Sequence, residues 1–227
     1  MNNYHYENNP VTNQHTSSYE NLDILYHPVN QGLTHECASS CNKNNSSLYN
    51  PSLKYTVDVP INLAKSLEGK YFVGYADNLA FGENTSAWAR LYNPPCSGVN
   101  LHVTVWTVSD VSESPFRAQI WFNSTPPGTP LESSNVTTSN TALCPLPKPR
   151  IKLQYAVNVI GDPIGGIKAF ARRGQPETTI VDDEQGKFIF PHGGSFLIFL
   201  SNPETPSLKA SGRIAYGWWE EPFLNEC

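Results

Sequence analysis

The sequence predicts an all-β fold: an antiparallel two-sheet β-sandwich of jelly-roll type carrying an extended N-terminal arm. Three observations point there. Short segments of period-two apolar alternation recur from residue 55 to the end of the chain. Pro and Gly turns separate them at regular spacing, and nineteen Pro with fifteen Gly in 227 residues is a density of breakers that a helical bundle does not tolerate. A hydrophobic content of 39% against 15% charged residues places the chain in the globular range, with enough apolar surface to build one core.

Residues 1–54 stand apart. Eleven of the 22 Asn lie there, with four of the six His, two Lys and no Arg. Apart from the short patch Leu22-Asp23-Ile24-Leu25-Tyr26, this stretch lacks strand alternation and helical periodicity, so it is expected to be an arm that does not fold alone. The predicted sandwich domain is residues 55–227. Its first expected strand is Tyr55–Ile61, whose odd positions are apolar up to Val59 and Ile61. Strands are then expected at Lys70–Ala76, Ala87–Tyr92, Val99–Val108, Phe116–Asn123, Ile151–Ile160, Gly166–Ala171, Thr178–Val181, Lys187–Phe190, Ser195–Ser201 and Arg213–Trp219. Turns such as Asn93-Pro94-Pro95 and Gly161-Asp162-Pro163 punctuate them. Between Ser124 and Pro149 a Ser-, Thr- and Pro-rich excursion is expected to run over the surface or cover a sheet edge. About eight to eleven short strands with such turns describe a jelly roll.

Charge and composition exclude several partners. A net charge of −5 argues against nucleic acid, because phosphate binding needs clustered Lys and Arg. The longest apolar run, Phe196–Leu200, is far below the roughly 18 residues of a spanning helix, so no membrane span is expected. The first thirty residues have neither a basic start nor an apolar stretch. A Sec-type signal peptide is therefore not expected, and an extracellular location would be reached by another route, such as lysis of a mother cell.

No catalytic residues are assigned, because no paired carboxylates, Ser/His/Asp spacing or phosphate loop emerges. Pro191-His192-Gly193-Gly194-Ser195 has the look of an oxyanion loop but lacks a nucleophile elbow, and reads better as a turn between strands. Asp182-Asp183-Glu184-Gln185-Gly186 lacks the alternating ligands of a calcium loop and reads as an acidic hairpin tip. No metal or other cofactor is expected. His35, Cys37 and Cys41 do not complete a zinc set, and the two thiols could instead form a local disulfide or crosslink subunits. The five cysteines, Cys37, Cys41, Cys96, Cys144 and Cys227, cannot pair completely within one chain. Cys96, in a Pro-Pro-Cys-Ser-Gly turn, and Cys144, before Pro145, are expected at the sandwich surface. Trp106 and Trp121 fall opposite in parity to the neighbouring apolar sets Val103, Val105 and Ile120, Phe122, so with Trp218 and Trp219 they are candidate surface aromatics for a sugar or a partner subunit.

Across Trp88-Ala89-Arg90-Leu91-Tyr92-Asn93-Pro94-Pro95, Val105-Trp106-Thr107-Val108 and Ser114–Asn123, the chain resembles an uncharacterised β-protein family of spore-forming Firmicutes, which brings no assigned activity. In layout it also resembles bacterial endospore appendage subunits, where a Cys-bearing arm precedes a jelly roll. That resemblance implies a self-assembling subunit of a pilus-like surface fibre or layer, a homo-oligomer at the spore surface. By position it makes Cys37 and Cys41 the arm thiols, with Cys96 or Cys144 as acceptors and Cys227 as the odd one. The alternatives are a carbohydrate-binding, lectin-like module and, third, a viral capsid-type jelly roll, whose arm would be more basic than this one.

Overall fold

The structure, a computed structural model, describes residues 58–223. One short helix, α1 (Ile61–Leu67), precedes eleven strands: β1 (Tyr71–Gly82), β2 (Ser86–Tyr92), β3 (Val99–Asp110), β4 (Phe116–Phe122), β5 (Leu131–Glu132), β6 (Val136–Thr138), β7 (Lys152–Val159), β8 (Ile167–Gly174), β9 (Thr179–Phe190), β10 (Ser195–Ser201) and β11 (Lys209–Pro222). Every pairing is antiparallel. One sheet runs β6-β1-β11-β3-β9 and the other β5-β7-β2-β10-β4-β8. The inner sets β1-β11-β3-β9 and β2-β10-β4-β8 are the two interleaved four-stranded sheets of a jelly roll. The three strands inserted between β4 and β8 widen both sheets at one side, β5 and β7 on one and β6 on the other.

The core lies between the sheets, where Phe72, Leu91, Leu101, Trp106, Ile198 and Trp218 are all enclosed. The Tyr216 hydroxyl donates to the Ala89 carbonyl at 2.8 Å, so the polar tip of a buried ring stitches one sheet to the other. β10 explains the apolar run in the sequence. Phe196, Ile198 and Leu200 face the core, whereas Leu197 and Phe199 face outward into a second cluster with Trp88, Ala156 and Val159. The segment after β4 closes that second face. It crosses to β5 at the far edge of the sheet, accepts the Trp88 Nε1 hydrogen bond at the Pro127 carbonyl (2.7 Å), and brings Gly128 so close that a Cβ there would lie 2.6 Å from Val159 Cγ1. The predicted excursion thus serves as a strap, and it contains two strands, β5 and β6, that the sequence reading leaves out.

Three other local predictions need correction. Residues 58–61 of the expected first strand are not extended pairing partners: Pro60 is the N-cap of α1, and Ala64 N–H donates to its carbonyl. The helix ends in a Schellman turn, with Gly69 at φ +72, its N–H on the Ser66 carbonyl and the Lys70 N–H on the Lys65 carbonyl. The two strands expected at Thr178–Val181 and Lys187–Phe190 are one, β9, and the acidic stretch between them is a kink within the strand rather than a hairpin tip. β1 also runs past Ala76 to Gly82 through a bulge at Asp77-Asn78, with Asn78 at φ +53.

Candidate functional site

A bulge decides where the tryptophans go. Against β11, β3 steps from Val103 to Val105 while its partner steps from Trp218 to Gly217, which leaves Thr104 as an extra residue. The alternation therefore changes phase: Val99, Leu101 and Val103 face the core before the bulge, and Trp106, Val108 and Asp110 face it afterwards. Trp106 is fully buried, and its Nε1 donates to Glu184 Oε1 at 3.2 Å. The kink in β9 turns Glu184 inward to meet it, and Lys187 balances the carboxylate at 2.8 Å. Trp218 is also fully buried, and Trp219 is enclosed on the other side of β11, stacked on His102 with ring centroids 3.5 Å apart. The expected surface role is therefore corrected for Trp106, Trp218 and Trp219. Trp121 alone of the four keeps partial exposure, beside the strap-covered cluster and with Lys168 Nζ 5.5 Å from its ring.

α1 lies over the Trp219 and His102 pair. Lys65 Nζ sits 4.9 Å from the Trp219 ring centroid and pairs with Glu221 at 2.6 Å. Burial alone would lower the Lys65 pKa, but the hydrogen bond and charge of Glu221, with help from Glu68, outweigh it and raise it. His102 is held below its ordinary value, chiefly by burial, although its Nδ1 contacts the Gly186 carbonyl at 3.2 Å.

Beyond α1, no segment among the described residues covers the outer face of the five-stranded sheet over β1, β11 and β3. An apolar groove of about 480 Å³ runs across β1, β11 and β3, with Val73, Tyr75, Val105 and Val136 as walls and Ala215 and Gly217 as floor. Small residues make the floor: a Cβ on Gly217 would come within 2.6 Å of Tyr71 Oη and 2.8 Å of Val105 Cγ1. Val73 is 38% exposed and Tyr75 40%, so apolar side chains project into solvent from the middle of a sheet. Arg213 stands at the upper end, 5.7 Å from the Tyr75 ring and bonded to Asp77.

One end of the sandwich carries the loops of Cys96 and Cys144. Cys96 is exposed in the turn joining β2 to β3, at φ +56. Buried Asn93 anchors that turn through Nδ2 bonds to the carbonyls of Val99 and Phe190, and Arg150 Nη1 donates to the Ser97 carbonyl. Phe223 N–H donates to the Gly98 carbonyl, which pins the residue after β11 beside the same turn. Cys144, also exposed, belongs to the loop whose Leu143 and Pro147 pack on Gly69 at the start of β1. Glu220 ties these loops together, accepting from the N–H groups of Arg150 and Ile151 and from Trp218 Nε1. Its burial raises the carboxyl pKa despite those donors. Cys37, Cys41 and Cys227 themselves lie outside the described residues, as does the arm of residues 1–54.

His192, Gly193 and Gly194 form the turn between β9 and β10, with Gly193 N–H on the Asn93 carbonyl. Among the described residues no group of three His, Cys, Asp or Glu side chains is placed to hold a metal ion, and no helix is long and apolar enough to cross a membrane. The sequence signals missed were the phase change at Thr104, which alternation alone does not carry, and the groove, whose floor needs Ala215 and Gly217 on the outward face together.

No curated protein and no solved structure matches the chain. Residues 45–225 match a family of unknown function (DUF6143), a span covering most of the sequence, and the protein belongs to that family.

Proposed function

We propose that the protein is a self-assembling structural subunit of a surface fibre or layer, as the layout of endospore appendage subunits implies. In this reading the N-terminal arm docks on neighbouring copies, disulfides between subunits lock the contacts, and the assembly sits outside the cell or on the spore surface. The observation that supports it best is the unequal cover of the two outer faces. The strap roofs the apolar outer face of the six-stranded sheet, whereas the five-stranded sheet keeps an open apolar groove. The groove is small enough for a monomer to carry, but its apolar walls suit the side chains of a docked segment, which gives a subunit a use for it. Exposed Cys96 adds a means of fixing contacts once made. Burial of Trp106, Trp218 and Trp219 takes away the aromatic surface on which the lectin reading depended.

The test is electrophoresis of the full chain without reductant. Ladders that collapse on reduction, and that a Cys37→Ser, Cys41→Ser double variant loses, are the expected result. Ladders persisting in that variant would exclude the arm thiols and move the bridge to the remaining cysteines, with Cys227 the first suspect.

A further inference from the structure

The geometry points to the groove on the five-stranded sheet as the acceptor for the Leu22–Tyr26 segment of a neighbouring copy's arm, an inference that rests on the assembly reading above. The groove offers an apolar trough across three strands, about 10 Å from the first to the third at ordinary strand spacing, with the small side chain of Ala215 in its floor. The arm supplies a matching piece. In Leu22-Asp23-Ile24-Leu25-Tyr26, the side chains of Leu22, Ile24 and Tyr26 share one face of an extended chain, with ~6.6 Å between successive ones. No other run of the first 54 residues combines three apolar side chains at this spacing within five positions.

Chain length permits a neighbour as the source. The arm joins the sandwich through α1, which lies on the same outer face as the groove, against Trp219 two residues from Gly217. Residues 27–57 separate Tyr26 from Asp58, 31 residues by subtraction. Extended, they span about 100 Å at ~3.3 Å each. A domain of this size is about 40 Å across. A tether more than twice that length reaches a groove on the next subunit, the source that the assembly reading calls for.

Two variants of the full chain test this by complementation. Ala215→Arg fills the groove from its floor but leaves the arm intact; Ile24→Asp disables the arm segment but leaves the groove open. Thr107→Arg, at the groove's β3 wall, replaces Ala215→Arg if that variant does not melt cooperatively. Mass is read by light scattering with reductant present, so that disulfides do not contribute. The wild type should form large assemblies, each variant alone should run as a 25.2 kDa monomer, and the two mixed should give a one-to-one complex of twice that mass that grows no further. If the wild type assembles and Ala215→Arg and Thr107→Arg assemble equally well, the groove is not the acceptor, while the assembly reading stands. If the variants mixed together stay monomeric, the segment docks within its own chain or nowhere, and the inference is overturned. A wild type that is itself monomeric, with or without reductant, overturns the assembly reading and this inference with it.

Discussion

At the scale of single residues, two positions carry constraints that chemistry makes measurable. Gly82 opens the tight turn between β1 and β2, at φ +92, and a Cβ there would sit 2.0 Å from the Leu208 carbonyl oxygen. Both the backbone conformation and the space exclude a side chain. Gly82→Ala should therefore cost at least ~2 kcal/mol in denaturant unfolding; a loss within ~0.5 kcal/mol would show that the turn re-forms freely. Asp110 faces the core after the β3 bulge and is 5% exposed. Its Oδ1 accepts from Ser112 N–H and Oγ, while its Oδ2 is buried with no hydrogen-bond partner. Burial raises the carboxyl pKa above its ordinary value despite the Ser112 bonds. Because the folded state then holds the proton more tightly than the unfolded chain, stability from this group is fully present below the ordinary carboxylate value and is lost as pH rises through the raised value. Asp110→Asn keeps the Oδ1 bonds and removes the charge. Its melting temperature at pH ~7 should exceed that of the wild type by about 2–4 °C, equivalent to ~1 kcal/mol. The gain should vanish near pH ~3, below the ordinary carboxylate value. A lower melting temperature at neutral pH would mean that the charge is compensated.

Among the elements, β3 shows what sequence alternation can and cannot say. Val99–Val108 is legible as a strand because four of its ten residues are Val and two more are Thr, and the strand is there. The faces are misread, because Thr104 inserts one residue and inverts every side chain after it. Deleting Thr104 should therefore turn Trp106 and Val108 out of the core and abolish the cooperative melt, whereas Thr104→Ser, which keeps the count, should cost under ~1 kcal/mol. A deletion variant that still melts cooperatively near the wild type would contradict the account of the bulge. β10 is the opposite case: five consecutive apolar residues say that both faces are covered, and the core and the strap cover them. α1 was hidden by the Val57, Val59, Ile61 alternation, although Pro60 before Leu63-Ala64-Lys65 and Gly69 after Leu67 are the start and stop of a short helix. β5 and β6, of two and three residues, are too short to leave a period.

The whole molecule joins a jelly roll legible from strand count and turns to a surface that was not legible, since the groove depends on residues of β1, β3, β6 and β11 brought together by pairing. The candidate thiols Cys96 and Cys144 are exposed as their turn and loop positions predict. The candidate tryptophans, except Trp121, went inside or beneath α1 because bulges and a helix govern their exposure. In the proposed reading, a roofed sheet and a sheet with an apolar groove belong to a subunit that assembles with its own copies. Sedimentation of the full chain, purified without reductant, tests that claim most directly. The account predicts species many times the 25.2 kDa of one chain, appearing as fibres or sheets in negative stain; a single monodisperse 25.2 kDa monomer across the accessible concentration range would contradict it.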